Sequence, residues 1–156
     1  MITLHRTNAD NPDFGSLVRL LDAYLAVEDG DAHPFFAQFN KTDQLEHVVV
    51  AYENGVPLGC GALKEFEPGV MEVKRMYVAP ESRRKGVASA VLHELECWAR
   101  ELTYKKCILE TGHRFQDAVG LYEHNGYHRI PNYGQYAGVE ASVCFEKALG
   151  RPDTSR

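Results

Sequence analysis

Apolar residues change their spacing several times along this chain, and each change marks an element. From Asp13 to Val27, the residues Phe14, Leu17, Val18, Leu20, Leu21, Tyr24 and Leu25 recur at helical intervals, with Asn11 and Pro12 ahead of them as start signals. The spacing predicts an amphipathic helix, preceded by a short strand near Ile2 to Arg6. The stretch EDGDAHP, Glu28 to Pro34, breaks the helix with glycine, proline and acidic residues, and PFFAQF predicts a second short helix. From Glu46 to Val78 the apolar runs are strand-like: EHVVVAYE, then VPLGCGALKEF, then VMEVKRMYV, separated by Asn54-Gly55 and by Glu67-Pro68-Gly69. Asn-Gly between two such runs signals a hairpin, because both central residues of a type I′ turn need positive φ. Three antiparallel strands follow.

Helical spacing returns after Gly86. Val87, Val91, Leu95, Trp98 and Leu102 share one stripe, and Ser89, His93, Glu96 and Arg100 share the opposite one, with the end expected near Thr103. KKCILET, Lys105 to Thr111, is a compact apolar strand, so strand, helix and strand in succession predict a right-handed parallel crossover. Ala118, Leu121 and Tyr122 mark a short helix closed by Asn125-Gly126. YHRI opens another strand, and Ala141 to Leu149 forms the last one. The expected fold class is α/β, an α+β mixed sheet in the order β-α-α-β-β-β-α-β-α-β-β. Residues 1–149 are expected to form a single domain, with 150–156 a flexible tail.

Composition narrows the function. A formal net charge of −5 over 156 residues excludes a general binder of nucleic acid or anionic membranes, since neutralising phosphates needs a basic field. Cys60, Cys97, Cys107 and Cys144 are far apart, and three of them sit in apolar runs. That pattern fits buried free thiols and not a disulfide frame or a zinc cluster. With neither a signal-like N-terminus nor an apolar stretch of membrane-spanning length, a cytoplasmic location is expected. His124 and His128 straddle a turn instead of sharing a helical face, so no metal site is expected.

Against the acidic background, VAPESRRKGVASAVL stands out. It joins a strand end to a helix start through a basic turn, where backbone N–H groups and the positive helix end converge on one place. Gly86 lets the backbone approach a phosphate, Ala88 is the next smallest residue, and Arg83, Arg84 and Lys85 add positive charge. A P-loop nucleotide site is disfavoured by the missing G-K-[ST] ending. The spacing R-x-x-G-x-A in this setting resembles motif A of the GNAT N-acetyltransferase superfamily, Q/R-x-x-G-x-G/A. Ala118 to Tyr127, AVGLYEHNGY, is similar to that family's later A-x-x-LYE-x-x-GF/Y segment. The resemblance spans about residues 46 to 148 with two ordered motifs.

The resemblance implies acetyl-CoA as co-substrate and a sheet whose central strands part to take the pantetheine arm. Backbone groups of Met76, Tyr77 and Val78 would bond the pantetheine. The turn Arg83, Arg84, Lys85, Gly86, Val87, Ala88 and Ser89 would hold the pyrophosphate. Where family members often carry an asparagine, three residues before Ala118, this chain has Phe115, and Gln116 is the substitute. Glu72, eleven residues before Arg83, is the candidate base. Tyr122, in the LYE position, is the candidate acid for the departing thiolate.

Other candidates come from position alone. Glu110 ends the parallel strand and is an alternative base, His113 follows in the loop, and Asp31 and the pair Tyr133 and Tyr136 offer charge and walls for the acceptor. The expected acceptor is a small molecule or amino-acid-like compound with a primary amine. The alternatives left open are a non-catalytic acetyl-CoA sensor or scaffold, a longer acyl donor such as succinyl-CoA, and a homodimer as the assembled form.

Overall fold

The computed structural model describes residues 1–42 and 44–150 of the chain. The proposed tail from Arg151 onward lies outside the described residues. Element order is β1 (Thr3–Thr7), α1 (Pro12–Glu28), α2 (His33–Ala37), β2 (His47–Glu53), β3 (Val56–Glu67), β4 (Val70–Val78), α3 (Val87–Glu101), β5 (Lys106–Gly112), α4 (Gln116–His124), β6 (His128–Ile130) and β7 (Ser142–Ala148). This is the order the apolar spacing predicts. The seven strands form one mixed sheet in the order β1-β2-β3-β4-β5-β7-β6.

Local chemistry explains most boundaries. Asn11 caps α1 by accepting from the backbone N–H groups of Asp13 (2.8 Å) and Phe14 (3.1 Å), with Pro12 in the first turn. Asn54 (φ 53) and Gly55 (φ 78) make the hairpin turn. Gly126 (φ 90) closes α4. β4 runs parallel to β5, in the register Val70 to Lys106, Met71 to Cys107 and Glu72 to Ile108. β5 and β6 both pair antiparallel with β7.

By contacts the chain groups into two compact units, Met1–Lys64 with Lys74–Leu95, and Glu65–Val73 with Glu96 onward. β4 and α3 each contribute residues to both. The first unit buries Phe14, Leu17, Val18 and Leu21 of α1 against Val48, Val50, Cys60 and Ala62. Leu20 and Tyr24, placed on the apolar stripe from sequence, are instead exposed at 52% and 39%. A seven-residue stripe is wider than the arc one helix buries on a sheet, and its flanks stay wet.

The second unit corrects another expectation. Glu96 falls on the polar stripe of α3, yet it is 1% exposed. Its carboxylate accepts from the Tyr127 hydroxyl (2.9 Å) and the Lys147 ammonium (2.8 Å). A carboxylate is buried only when it is paired, and both partners come from later in the chain. Leu102 moves the other way: α3 ends at Glu101, and Leu102 is 39% exposed.

Candidate functional site

The strand end that the sequence singles out is shaped by glycines on its neighbour. A Cβ on Gly59 would lie 2.8 Å from the Tyr77 carbonyl oxygen and 3.1 Å from Val78 and Val87 side-chain carbons. On Gly61 it would lie 2.5 Å from Met76 Sδ and 2.9 Å from Leu95. Two glycines at period two on β3 therefore let Met76 to Val78 and α3 pack closely, a signal present in VPLGCGAL that sequence reasoning passed over. Arg75 is a second residue missed. It has φ 58 inside β4, its buried guanidinium donates to Asp22, and its carbonyl accepts from the Cys60 thiol at 3.4 Å. A left-handed residue inside a strand interrupts the side-to-side alternation of its side chains, so Glu72 and Met76 need not share a face.

Beyond the strand, Pro80–Ser82 makes one 3₁₀ turn, and Arg84 (φ 66) and Gly86 (φ 78) both take left-handed conformations before α3 starts at Val87. Left-handed residues in a turn make the successive N–H groups converge, which is the geometry of an anion nest. Arg83, Arg84, Lys85 and Gly86 are exposed. Nothing lies within 4 Å of where a Gly86 Cβ would be. Glycine is favoured there by its φ, a stronger reason than the steric one read from sequence. Arg83 turns back: its Nε donates to the Val78 carbonyl at 3.0 Å and its guanidinium lies 5.9 Å from the Tyr77 ring centre. All of Met76, Tyr77, Val78 and the turn through Ala88 and Ser89 belong to the first unit. Asp31 belongs to that unit also, exposed in the short turn after α1.

The second unit gathers the other candidates. Tyr133 donates its hydroxyl to Glu72 Oε2 at 2.6 Å, and Ser142 donates to Glu110 Oε2 at 2.7 Å. Tyr136 is buried, with its proton affinity raised by desolvation and by the fields of Glu110 and Glu72. Tyr122 is also buried, and desolvation together with Glu110 raises it well above the ordinary tyrosine range. Burial and the charge of Glu72 raise Tyr133 as well. The Cys144 thiol is pushed up to about 11, chiefly by burial. Two carboxylates and three tyrosines thus share one neighbourhood, though they come from β4, β5, α4 and the β6–β7 loop. That loop is held shut by Asn132, whose Nδ2 donates to the carbonyls of Val139 (2.9 Å) and Ser142 (3.0 Å).

Two candidates stand apart from this neighbourhood. His113 is exposed, and Gln116 donates its side-chain amide to the His113 carbonyl. Both line an open hollow of about 360 Å³ with Val119, Glu123, Arg129, Val143 and Phe145. None of Glu72, Glu110, Tyr122, Tyr133 or Tyr136 lines it. Among the described residues no group of three or more His, Cys, Asp or Glu is arranged to hold a metal ion, and no helix is long and apolar enough to cross a membrane.

Comparison with known proteins gives this geometry a context. The pattern described as the Acetyltransferase (GNAT) family matches residues 14–127. A protein named IAA acetyltransferase from Azospirillum brasilense is 30% identical over 156 residues, covering 95% of this chain and 98% of that protein. A solved structure described as an acyl-CoA N-acyltransferase, from Klebsiella pneumoniae, superimposes with TM-score 0.80 at 29% identity, covering 96% of this chain and 98% of that one. The PaiA N-acetyltransferase of Thermoplasma acidophilum, solved in complex with coenzyme A, shares the fold at TM-score 0.67 and 15% identity, over 95% of this chain and 99% of that one.

Proposed function

The chain belongs to the GNAT acetyltransferase family, and we propose that it moves an acetyl group from acetyl-CoA directly to the primary amine of a small or amino-acid-like acceptor. The observation that carries the donor half is the turn with left-handed Arg84 and Gly86 feeding α3, exposed and basic in a chain of net charge −5. A pyrophosphate fits it, because converging N–H groups, a helix N-terminus and three cations all favour an anion there. Backbone groups of Met76 and Tyr77 would hold the pantetheine amides. The Val78 carbonyl, engaged here by Arg83, would have to exchange that partner.

Transfer needs the acceptor nitrogen as a free base and some stabilisation of the departing thiolate. Glu72 is the base in this reading, buried and already gripped by a hydroxyl. Tyr122 serves the thiolate. Its raised proton affinity keeps it a hydroxyl at every physiological pH and makes full surrender of the proton unfavourable, so its contribution is a hydrogen bond donated to sulfur as charge develops. Acetyl-CoA, when bound, supplies the activated thioester. The chain is proposed to work as one catalytic domain in the cytoplasm.

The test is a screen of primary amines with acetyl-CoA, reading coenzyme A release with a thiol reagent. Amine-dependent release supports the reading. Tight binding of acetyl-CoA with no release above background for any amine would identify a sensor instead.

A further inference from the structure

Glu72 is 6% exposed, which raises the question of how a protonated amine reaches it. The group standing over its Oε2 is the Tyr133 hydroxyl, at 2.6 Å. That is the length of a charge-assisted O–H···O⁻ bond, among the stronger hydrogen bonds a protein makes. Tyr133 is half-buried as a residue, whereas Glu72 is buried. Its ring is fixed edge-on between Phe66 and Tyr136, with centroids 5.1 and 5.8 Å away. Phe66 also packs against Gly134, whose φ is 51. With the loop closed by Asn132, the tyrosine is held and not merely resting on the carboxylate. Desolvation and Glu72 together keep the phenol protonated, so a resting phenolate does not arise.

We propose that Tyr133 is a proton relay between the acceptor and Glu72, which makes it a catalytic residue and not a pocket wall. As the acceptor ammonium docks on the Tyr133 oxygen, its N–H bond breaks and that proton joins the oxygen, while the original phenolic proton moves to Glu72 Oε2. The products are a neutral amine with its lone pair free, an intact phenol and a protonated Glu72 carboxyl, so one proton enters and one leaves the tyrosine. Concerted passage is required, because burial penalises either charged form of the phenol. The substrate class follows: acceptors that are ammonium ions at neutral pH, and not amines already neutral there. The inference rests on the reading of Glu72 as the base.

The test compares Tyr133→Phe, Glu72→Gln and the double variant with two acceptors, the primary amine turned over fastest in the screen and hydroxylamine, which is already neutral at pH 7. Tyr133→Phe keeps the ring contacts and removes only the hydroxyl. Each single variant is expected to lose about 10²-fold in kcat/KM with the protonated amine, with the double variant falling little further, as for groups that act as one unit. With hydroxylamine each should lose only a few-fold. The Tyr133→Phe deficit should also shrink as pH rises toward the amine's own pKa, because free base then arrives from solution. Wild-type turnover by Tyr133→Phe, an equal loss with hydroxylamine, or losses that multiply in the double variant would overturn the relay. An unimpaired Glu72→Gln would overturn the base reading itself and the relay with it. A wild-type enzyme that uses hydroxylamine but no protonated amine would also overturn the relay.

Discussion

The turn of the first unit and the cluster of the second offer opposite physics to a ligand. From Arg83 to Ser89 the groups proposed to bind are mostly backbone amides, the residues are contiguous, and the basic side chains stand in solvent. In the second unit the groups proposed to act are side chains. Glu72, Glu110 and Tyr122 come from separate elements and Tyr133 and Tyr136 from one loop, and burial raises the proton affinity of the three tyrosines. An anion site can be assembled from local conformation and an exposed field, whereas proton chemistry near pH 7 needs groups removed from water and set against one another.

If that contrast is right, Tyr122→Phe should lower turnover as strongly as Glu72→Gln. A loss of about 10²-fold in kcat is expected, the scale for removing one donor to a developing anion, with acetyl-CoA binding unchanged by calorimetry. Equal weakening of binding would place Tyr122 on the donor side. Glu96→Ala comes next, tested by chemical denaturation. It strands Tyr127 and Lys147 without their carboxylate, and breaking one side of a buried ion pair costs about 3 kcal/mol or more. A cost near zero would mean that the second unit is not held by its buried charges.

Stability against pH also separates the two regions. Tyr122, Tyr127, Tyr133 and Tyr136 all have proton affinities raised on folding. Their contribution is fully present below the unfolded tyrosine pKa of about 10 and is lost as pH climbs above it toward the folded values, by about 1.4 kcal/mol per pH unit for each tyrosine. Denaturation midpoints at pH 9 and pH 11 would reveal the loss, and flat stability would contradict this burial. The mildest test is thiol labelling. Cys60 and Cys107 are pushed up to about 12 by burial, so both should resist alkylation at pH 8 until the protein unfolds.

The same contrast explains what the sequence could reveal. Gly86 with its basic neighbours, and Asn54-Gly55, were legible because their conformational demands are local and glycine announces them. The element order was legible for a similar reason, since helical and strand spacing are local. The candidates Glu72, Tyr122, Tyr133 and Tyr136 could be named, but their pairing could not, because Tyr133 lies 61 residues from Glu72. Glu96 was misplaced on a wet face because its partners, Tyr127 and Lys147, lie 31 and 51 residues further on. Arg75 was missed because nothing in VMEVKRMYV signals a left-handed residue within the strand. Gly59 and Gly61 were legible in principle, as glycines at period two in a strand mark a close approach.

A donor turn distinct from a transfer cluster is tested most directly by steady-state kinetics on Gly86→Val and Glu72→Gln, with acetyl-CoA varied at saturating amine. Valine is strained at a φ of 78, so Gly86→Val should raise the KM for acetyl-CoA by about tenfold or more while kcat stays near wild type. Glu72→Gln should lower kcat and leave that KM unchanged. A loss of kcat in Gly86→Val with its KM intact, or a raised acetyl-CoA KM in Glu72→Gln, would contradict the division.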